Sequence, residues 1–297
     1  MSVKYSIISI NYNQKLLTYA LLQSIAKYPP DDSYEIIIVD NASREEEIPY
    51  PLPHLPLYSL IKNEKNAGFA GGNNIGIRAA KGNYLFLVNN DTEFTQDLCK
   101  ILSQTLASQT DIGIICPKIN YFAPPDTIQF VGFTPISTLT ARNRTIGVGE
   151  KDTEQYTGIL STAYAHGAAM MLPHEIIDKV GLMPEIYFLY YEEMDWSEQI
   201  KNKGFSIKVQ TDALIYHKES ASMGGNSPLK TYYLYRNRLL FVRRNRSTAQ
   251  ILLFCIYYFC IALPKAVFSF LLQGKFSHIK AIFAALLWHL SPKKILD

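Results

Sequence analysis

Residues 84–94, YLFLVNNDTEF, decide how this chain folds. Five apolar or aromatic residues run without alternation and stop at Asn89-Asn90-Asp91. A short continuous apolar run closed by polar turn residues reads as a strand buried on both faces. Residues 35–43, EIIIVDNAS, repeat the arrangement and stop at Asp40. Open α/β sheets bind ligands at the carboxyl ends of such strands. A third acidic group, Glu192, Glu193 and Asp195, lies in IYFLYYEEMDW (186–196). Acids at three such places can supply a nucleotide contact, a metal ligand and a general base.

The remaining elements fit an α/β frame. KYSIISI (4–10) and LYSLIKN (57–63) are further buried strands, and IGIICP (112–117) is a fifth. Leu16, Leu17, Ala20, Leu21, Ser24 and Ile25 recur at helical spacing, and Pro29-Pro30 stop that helix. NAGFAGGNN (66–74) reads as a glycine-rich turn, and NIGIRAAKG (74–82) as a helix closed by Gly82. Residues 95–110 are an amphipathic helix. AHGAAMMLP (165–173) is strand-like, PHEIIDKVG and MDWSEQIKNKG (194–204) are helices, and FSIKVQTDALIYH (205–217) is a strand or strand pair ending at His217. Strand–helix–strand order implies a mostly parallel sheet covered on both faces. Residues 120–160 break the pattern with prolines, glycines and the basic pair Arg142 and Arg144, and read as an insertion near the functional site.

Composition bounds the classes available. The chain has 297 residues, 48% of them hydrophobic and 19% charged, which is a globular balance and not a disordered one. The net charge of +3 gives no case for nucleic acid. Cys99, Cys116, Cys255 and Cys260 lack metal or redox spacing and are expected as reduced thiols. MSVKYSIISINYN has no signal-peptide pattern, and a cytoplasmic protein is expected.

Six stretches in order, SIISINYN, IIIVDNAS, NAGFAGGNNIGI, LFLVNNDTEF, LYYEEMDW and IYHKES, resemble the inverting family-2 glycosyltransferases of the GT-A fold, especially the bacterial rhamnosyltransferase and galactofuranosyltransferase branch. The likeness runs from residue 3 to about residue 245, and residues 1–245 are taken as the transferase domain. It implies a nucleotide-diphosphate sugar donor, dTDP- or UDP-linked. Asn11 and Tyr12, at the end of the first strand, can reach the base. Asp40 suits a base N–H or the ribose hydroxyls, although Asp before Asn-Ala-Ser also favours a plain turn. NAGFAGGNN resembles a phosphate cradle, because glycines let backbone approach a ligand and a helix start follows. Asn66, Gly71, Asn73 and Asn74 in that stretch, with Asn90, complete the candidate donor contacts. Asn73 stands where many members carry Arg, which leaves diphosphate charge to a metal or to the basic loop.

Asn89-Asn90-Asp91 occupies the place of the family's Asp-x-Asp, with Asn89 for the first acid. The resemblance makes Asp91, His217 and Asn89 the candidate ligands of Mn²⁺ or Mg²⁺; an amide oxygen is tolerated by either ion, and imidazole suits Mn²⁺ better. A lone histidine is also an ordinary structural residue. Matching YYEEMDW to the family places the base at Glu193. Glu192 is a second candidate or an ordinary helix-start acid, and Asp195 either binds acceptor or favours the helix dipole. Trp196 is a sugar platform or core.

The C-terminal segment, 246–297, is different in kind. ILLFCIYYFCIAL (251–263) is apolar all round, Pro264-Lys265 interrupt it, and HIKAIFAALLWHL (278–290) is a second amphipathic piece. Basic residues bracket it: Arg243, Arg244 and Arg246 before, Lys275 and Lys280 after. Positive flanks on both sides fit a helical hairpin lying on an anionic membrane better than a span. A buried helical pair or a homo-oligomer interface are the other readings. A glycan or lipid-linked acceptor, met at the inner face of the plasma membrane, would explain such a foot. Two rivals remain: a nucleotidyltransferase, whose lysine-rich signature near the first strand is missing, and a degenerate nucleotide- or glycan-binding module, which the altered Asn89-x-Asp91 keeps open.

Overall fold

The computed structural model describes residues 3–44, 57–219 and 227–291. Most of the proline-rich segment after the second strand lies outside them. In chain order the elements are β1 (Tyr5–Asn11), α1 (Lys15–Lys27), β2 (Tyr34–Asp40), β3 (Tyr58–Lys62), α2 (Gly68–Ala79), β4 (Tyr84–Val88), β5 (Thr92–Phe94), α3 (Leu98–Ser108), β6 (Ile112–Tyr121), β7 (Ile128–Phe130), β8 (Ile159–Ser161), β9 (Ala169–Pro173), α4 (Glu175–Val180), α5 (Glu192–Asn202), β10 (Ser206–His217), α6 (Pro228–Asn245), α7 (Thr248–Tyr257), α8 (Leu263–Leu272) and α9 (Phe276–Trp288).

The sheet runs β3-β2-β1-β4-β9-β6-β10-β5, with β7 on β6 and β8 on β10. Its first four strands are parallel, as their continuous apolar runs require. Beyond β4 it is mixed: β9 lies antiparallel between β4 and β6, while β6 and β10 are parallel to each other. Helices cover both faces. Tyr5 of β1 hydrogen-bonds Ser103 of α3, and Asn11 meets Thr18 of α1 on the same side. Ile8 and Ile10, pointing the other way, pack on Gly76 and Gly72 of α2. The 120–160 insertion is tied to β6 by Lys118 and Asn120, which both bind the Asp152 carboxylate, at 2.6 and 3.0 Å.

Two expectations are corrected. The glycine-rich stretch is not a turn: α2 begins at Gly68 and ends at Ala79, short of Gly82. Glycines in this helix permit contact that a Cβ would forbid, since one on Gly76 would fall 2.3 Å from Ile8. Pro264 does not break the C-terminal helix either. Proline removes a backbone donor and clashes with the preceding turn. A π-turn at Tyr258–Ala262 widens the helix just before it, and one helix of 25 residues runs from Thr248 to Leu272.

A second apolar core sits under that helix. Phe254, Tyr258, Leu263 and Ile282 pack against Leu240 and Phe241 of α6 and against Tyr187, all buried. The opposite face is bare. Twelve of the twenty exposed large hydrophobics among the described residues fall between Leu252 and Leu290, including Phe259, Phe268 and Phe283. The basic flank expected to meet lipid is partly spent inside the protein: Arg244 pairs with Asp195 and Arg246 with Glu198.

Candidate active site

Parallel register brings the ends of β1 and β2 together, with Asn11 opposite Asp40. Asn11 Nδ2 donates to Asp40 Oδ2 at 2.8 Å, and Ser43 N–H donates to Asp40 Oδ1 at 2.8 Å. Thr18 Oγ1 donates to Asn11 Oδ1 and accepts from Asn90 Nδ2 at 3.0 Å. One network therefore links the tips of β1, β2 and β4. Tyr12 projects beside it, 45% exposed.

Next to this network stands the start of α2. Asn66 Oδ1 accepts from Gly68 N–H, and Asn41 Nδ2 donates to Asn66 Oδ1 and to Gly68 O. Phe69 N–H donates to Phe188 O at 2.8 Å. Gly68 has φ +73° and a Cβ there would sit 2.2 Å from Phe188 O, so only glycine allows this approach. Gly71 faces Ala67 and Glu185. Asn73 donates to Phe69 O, and Asn74 is buried and bonded to Met183 on both sides of its amide and to Glu185. In this structure the stretch joins α2 to the loop that precedes α5; the Asn74 amide serves that junction, while the Asn73 amide bonds back to the Phe69 carbonyl within α2.

Asp91 and His217, far apart in sequence, meet because β5 pairs antiparallel with the end of β10, Thr92 opposite His217. His217 Nε2 lies 3.1 Å from Asp91 Oδ1, and both residues are buried. His217 Nδ1 meets Gln129 Oε1 at 2.8 Å, a contribution of the insertion that sequence reading missed. Carbonyl-type partners on one imidazole nitrogen orient the other toward a metal. A carboxylate oxygen and an imidazole nitrogen in direct contact are a donor pair whose chemistry fits a divalent cation. No group of three His, Cys, Asp or Glu side chains stands ready to cage one among the described residues. Such an ion would take its other ligands from water and phosphate oxygens. Asn89 contributes backbone here, its N–H to Ala168 O and its O to Thr92. His166 stacks on Phe133 with its ring 6.3 Å from that of His217, and burial pushes its imidazole down to about 3.

The third acid group forms the first turn of α5. Phe188, Tyr190 and Tyr191, just before it, have φ of 64°, 71° and 78°. Such conformations cost about 1–3 kcal/mol each and persist only when surroundings hold them. The holding residues are on α6. Asn237 Nδ2 donates to the carbonyls of Tyr187, Leu189 and Tyr190 at 3.0, 2.7 and 2.9 Å. Arg236 reaches the carbonyls of Ile186 and Tyr187 and also Asn237 Oδ1. Polar residues set among aromatics in YRNRLLF were the available signal for this role.

Glu192 is 2% exposed and its Oε2 has no hydrogen-bond partner among the described residues. Burial, then the charge of Glu193, pushes its carboxyl well above the usual range. Glu193 is half-buried at its surface, and desolvation by the surrounding protein raises it to about 7. Asp195 differs: Arg244 Nε donates to Oδ2 at 2.6 Å and Asn245 Nδ2 to Oδ1 at 3.1 Å, so it anchors α5 to α6. Trp196 is fully buried, and its indole N–H donates to Gly181 O.

A parallel β3-β2-β1-β4 half joined to a mixed half, with acids at both strand tips and a third on a helix start, is the GT-A architecture of glycosyl-transferring enzymes. Residues 6–181 match the family model described as glycosyl transferase family 2, more than half of the chain, and the chain belongs to that family. The match ends before α5 and His217. The low-salt glycan biosynthesis hexosyltransferase Agl10 of Haloferax volcanii is 26% identical over 244 residues, 79% of this chain and 74% of that protein. The dTDP-rhamnosyl transferase RfbF of Shigella flexneri is 25% identical over 252 residues, 81% and 80% of the two. Among solved structures, the mannosyltransferase PcManGT from Pyrobaculum calidifontis, in complex with GDP-Man and Mn²⁺, superposes with a TM-score of 0.58 at 14% identity, covering 99% of this chain and 82% of that one. At that identity the likeness speaks for the fold.

Proposed function

We propose that this glycosyltransferase is divalent-metal-dependent and inverting, and moves a sugar from a nucleoside diphosphate to a hydroxyl of a surface or lipid-linked glycan. The observation that carries the reading is the convergence of Asp91 and His217 at the carboxyl edge of the sheet. Asn11, Tyr12 and Asp40 hold the nucleoside end of the donor, the exposed Tyr12 ring lying on the base. Asp91 and His217, the latter oriented by Gln129, would hold the ion. A bound Mn²⁺ or Mg²⁺ supplies positive charge to the diphosphate leaving group. Glu193 takes the proton of the acceptor hydroxyl as that oxygen bonds to the anomeric carbon and the bond to diphosphate breaks. Its raised pKa suits a base working near neutrality. The nucleotide is dTDP or UDP, and the name of RfbF favours dTDP-rhamnose.

The enzyme lies on the membrane and does not cross it. The 248–272 helix is long and apolar enough to span. Its inner face, however, is packed on α6 and on Tyr187 beside the base loop, so a span would draw the catalytic domain into hydrocarbon. An in-plane hairpin leaves the bare face in lipid and the paired Arg244 and Arg246 in protein. Calorimetric titration with dTDP, UDP, GDP and CDP, each with Mn²⁺ and with EDTA, tests the reading. One diphosphate should bind with the metal and lose binding with EDTA or in Asp91→Ala. Metal-independent binding, or none, refutes it.

A further inference from the structure

The basic loop residue Arg142 has no part in the chemistry above. It lines a cavity of about 300 Å³ between the insertion, α6 and the C-terminal helix, with Arg238, Lys265, Tyr235, Ser269 and Phe270 among the other walls. Among the described residues the cavity is lined by three cations and by no carboxylate. Arg142 and Lys265 are exposed and make no salt bridge among the described residues. Arg238 is buried and fixed: its Nε donates to Thr140 O at 2.8 Å, and its guanidinium lies 5.7 and 5.3 Å from the Phe254 and Tyr258 rings. Three converging cations without an acid create a field that calls for an anion, and Ser269 adds a hydroxyl donor.

The cavity's position says what carries the anion. Lys265, Ala266, Ser269 and Phe270 are on α8, and the other side of the same helix bears the exposed Phe268, Leu271 and Leu272. A ligand in the cavity therefore has an apolar surface beside it. On its inner side the cavity approaches the base loop. Tyr191 Oη meets Ala141 O, next to Arg142, and Tyr191 is two residues from Glu193. Burial pushes its phenol up to about 12 against the pull of Arg238 and Arg142.

We propose that this cavity binds a phosphate or diphosphate ester carried on a lipid, with Arg142, Arg238 and Lys265 on the anion and the lipid chain leaving along the bare face of α8. In the transferase reading, on which this placement rests, that ester is the anchor of the acceptor, held beside the loop segment that Tyr191 joins to the start of α5. The same chemistry occurs on a bulk anionic phospholipid.

The test uses the intact chain and the double variant Arg142→Gln/Lys265→Gln, both exposed positions whose loss does not threaten folding. Farnesyl diphosphate in neutral micelles serves as the lipid-diphosphate probe, and phosphatidylcholine vesicles with and without phosphatidylglycerol as the headgroup probe. Affinity for farnesyl diphosphate should fall by roughly tenfold for each charge removed, while binding of the nucleoside diphosphate is kept. A fall for phosphatidylglycerol vesicles alone would assign the cavity to bulk headgroups, the same chemistry from the other source. Unchanged binding of both probes overturns the proposal. So does a matching fall in nucleoside diphosphate affinity, which would give these cations to the donor. A wild-type protein that binds no nucleotide yet binds farnesyl diphosphate through Arg142 and Lys265 would sink the transferase reading and leave the cavity assignment standing.

Discussion

Replacing Asn237 by alanine tests whether α6 sets the position of the base. The side chain is fully buried and its amide nitrogen serves the carbonyls of Tyr187, Leu189 and Tyr190. Arg236 continues to reach Ile186 and Tyr187 in the variant, so the loss is concentrated on Leu189 and Tyr190. Two buried carbonyls stranded at roughly 1–1.5 kcal/mol each give a cost of about 2–3 kcal/mol. For a chain of this size that lowers the thermal midpoint by about 3–5 °C. The catalytic effect should be larger. Phe188, Tyr190 and Tyr191 hold positive φ in a loop whose Leu189 and Tyr190 carbonyls Asn237 ties, and relaxation of that loop carries the first turn of α5 with it. Displacement of a catalytic group by about 1 Å costs on the order of 100-fold in rate. Steady-state kinetics with the donor that calorimetry selects should show kcat down by about that factor and donor KM little changed. A folded Asn237→Ala enzyme with kcat within about threefold of wild type refutes the reasoning.

On the proposed role of Glu193, kcat/KM should climb as pH rises through about 7, where its raised carboxyl becomes ionised. Glu193→Gln should flatten that profile and lower turnover by about 10²–10⁴-fold with donor affinity intact. Stability moves oppositely: the folded state holds this proton more tightly than the unfolded chain, so its contribution is complete below the usual carboxylate range and is lost as pH rises to about 7. Thermal melts across that window should show a slope that Glu193→Gln reduces. Arg244→Met leaves the buried Asp195 carboxylate with Asn245 and without its cation, which should cost about 3 kcal/mol in denaturant unfolding; a loss under about 0.5 kcal/mol would show that the pair does not anchor α5. Phe259→Ser with Phe268→Ser should reduce sedimentation with anionic vesicles at least tenfold while melting is unchanged, since both rings are exposed. Truncation at residue 247 is a poorer test, because Phe254, Tyr258 and Ile282 belong to the second core and His289 is bonded to the Arg236 carbonyl.

The parallel half of the sheet was legible because EIIIVD and YLFLV are short continuous apolar runs closed by turn residues, and the acids that end them fall where such sheets bind ligands. Strand direction beyond β4 was not legible: AMMLP reads the same whichever way it runs. The glycines of GFAGG carried a composition that says turn. Only tertiary contact shows that Gly68 and Gly76 give room to Phe188 and Ile8 within a helix. Asp91 and His217 were each read from the likeness to known sequences, but Gln129 had no pattern to betray it, since its role depends on where the insertion folds back. Arg244 and Arg246 read as a membrane-facing flank because sequence gives number and sign, and pairing with Asp195 and Glu198 is a matter of space.

The π-turn at Tyr258–Ala262 has a consequence for the half-helix that follows it. One residue more than a regular α-turn is accommodated there, and each residue of an α-helix advances the direction of its side chains by about 100°. Everything from Leu263 onward is therefore rotated relative to the course that α7 alone would set. That phase turns Lys265 and Ser269 toward Arg142 and leaves Phe268 and Leu272 outside. Regularising that turn to α at the same length would act as a rotary key: the downstream helix would turn by about 100° and carry Phe268 into the place Ser269 now holds.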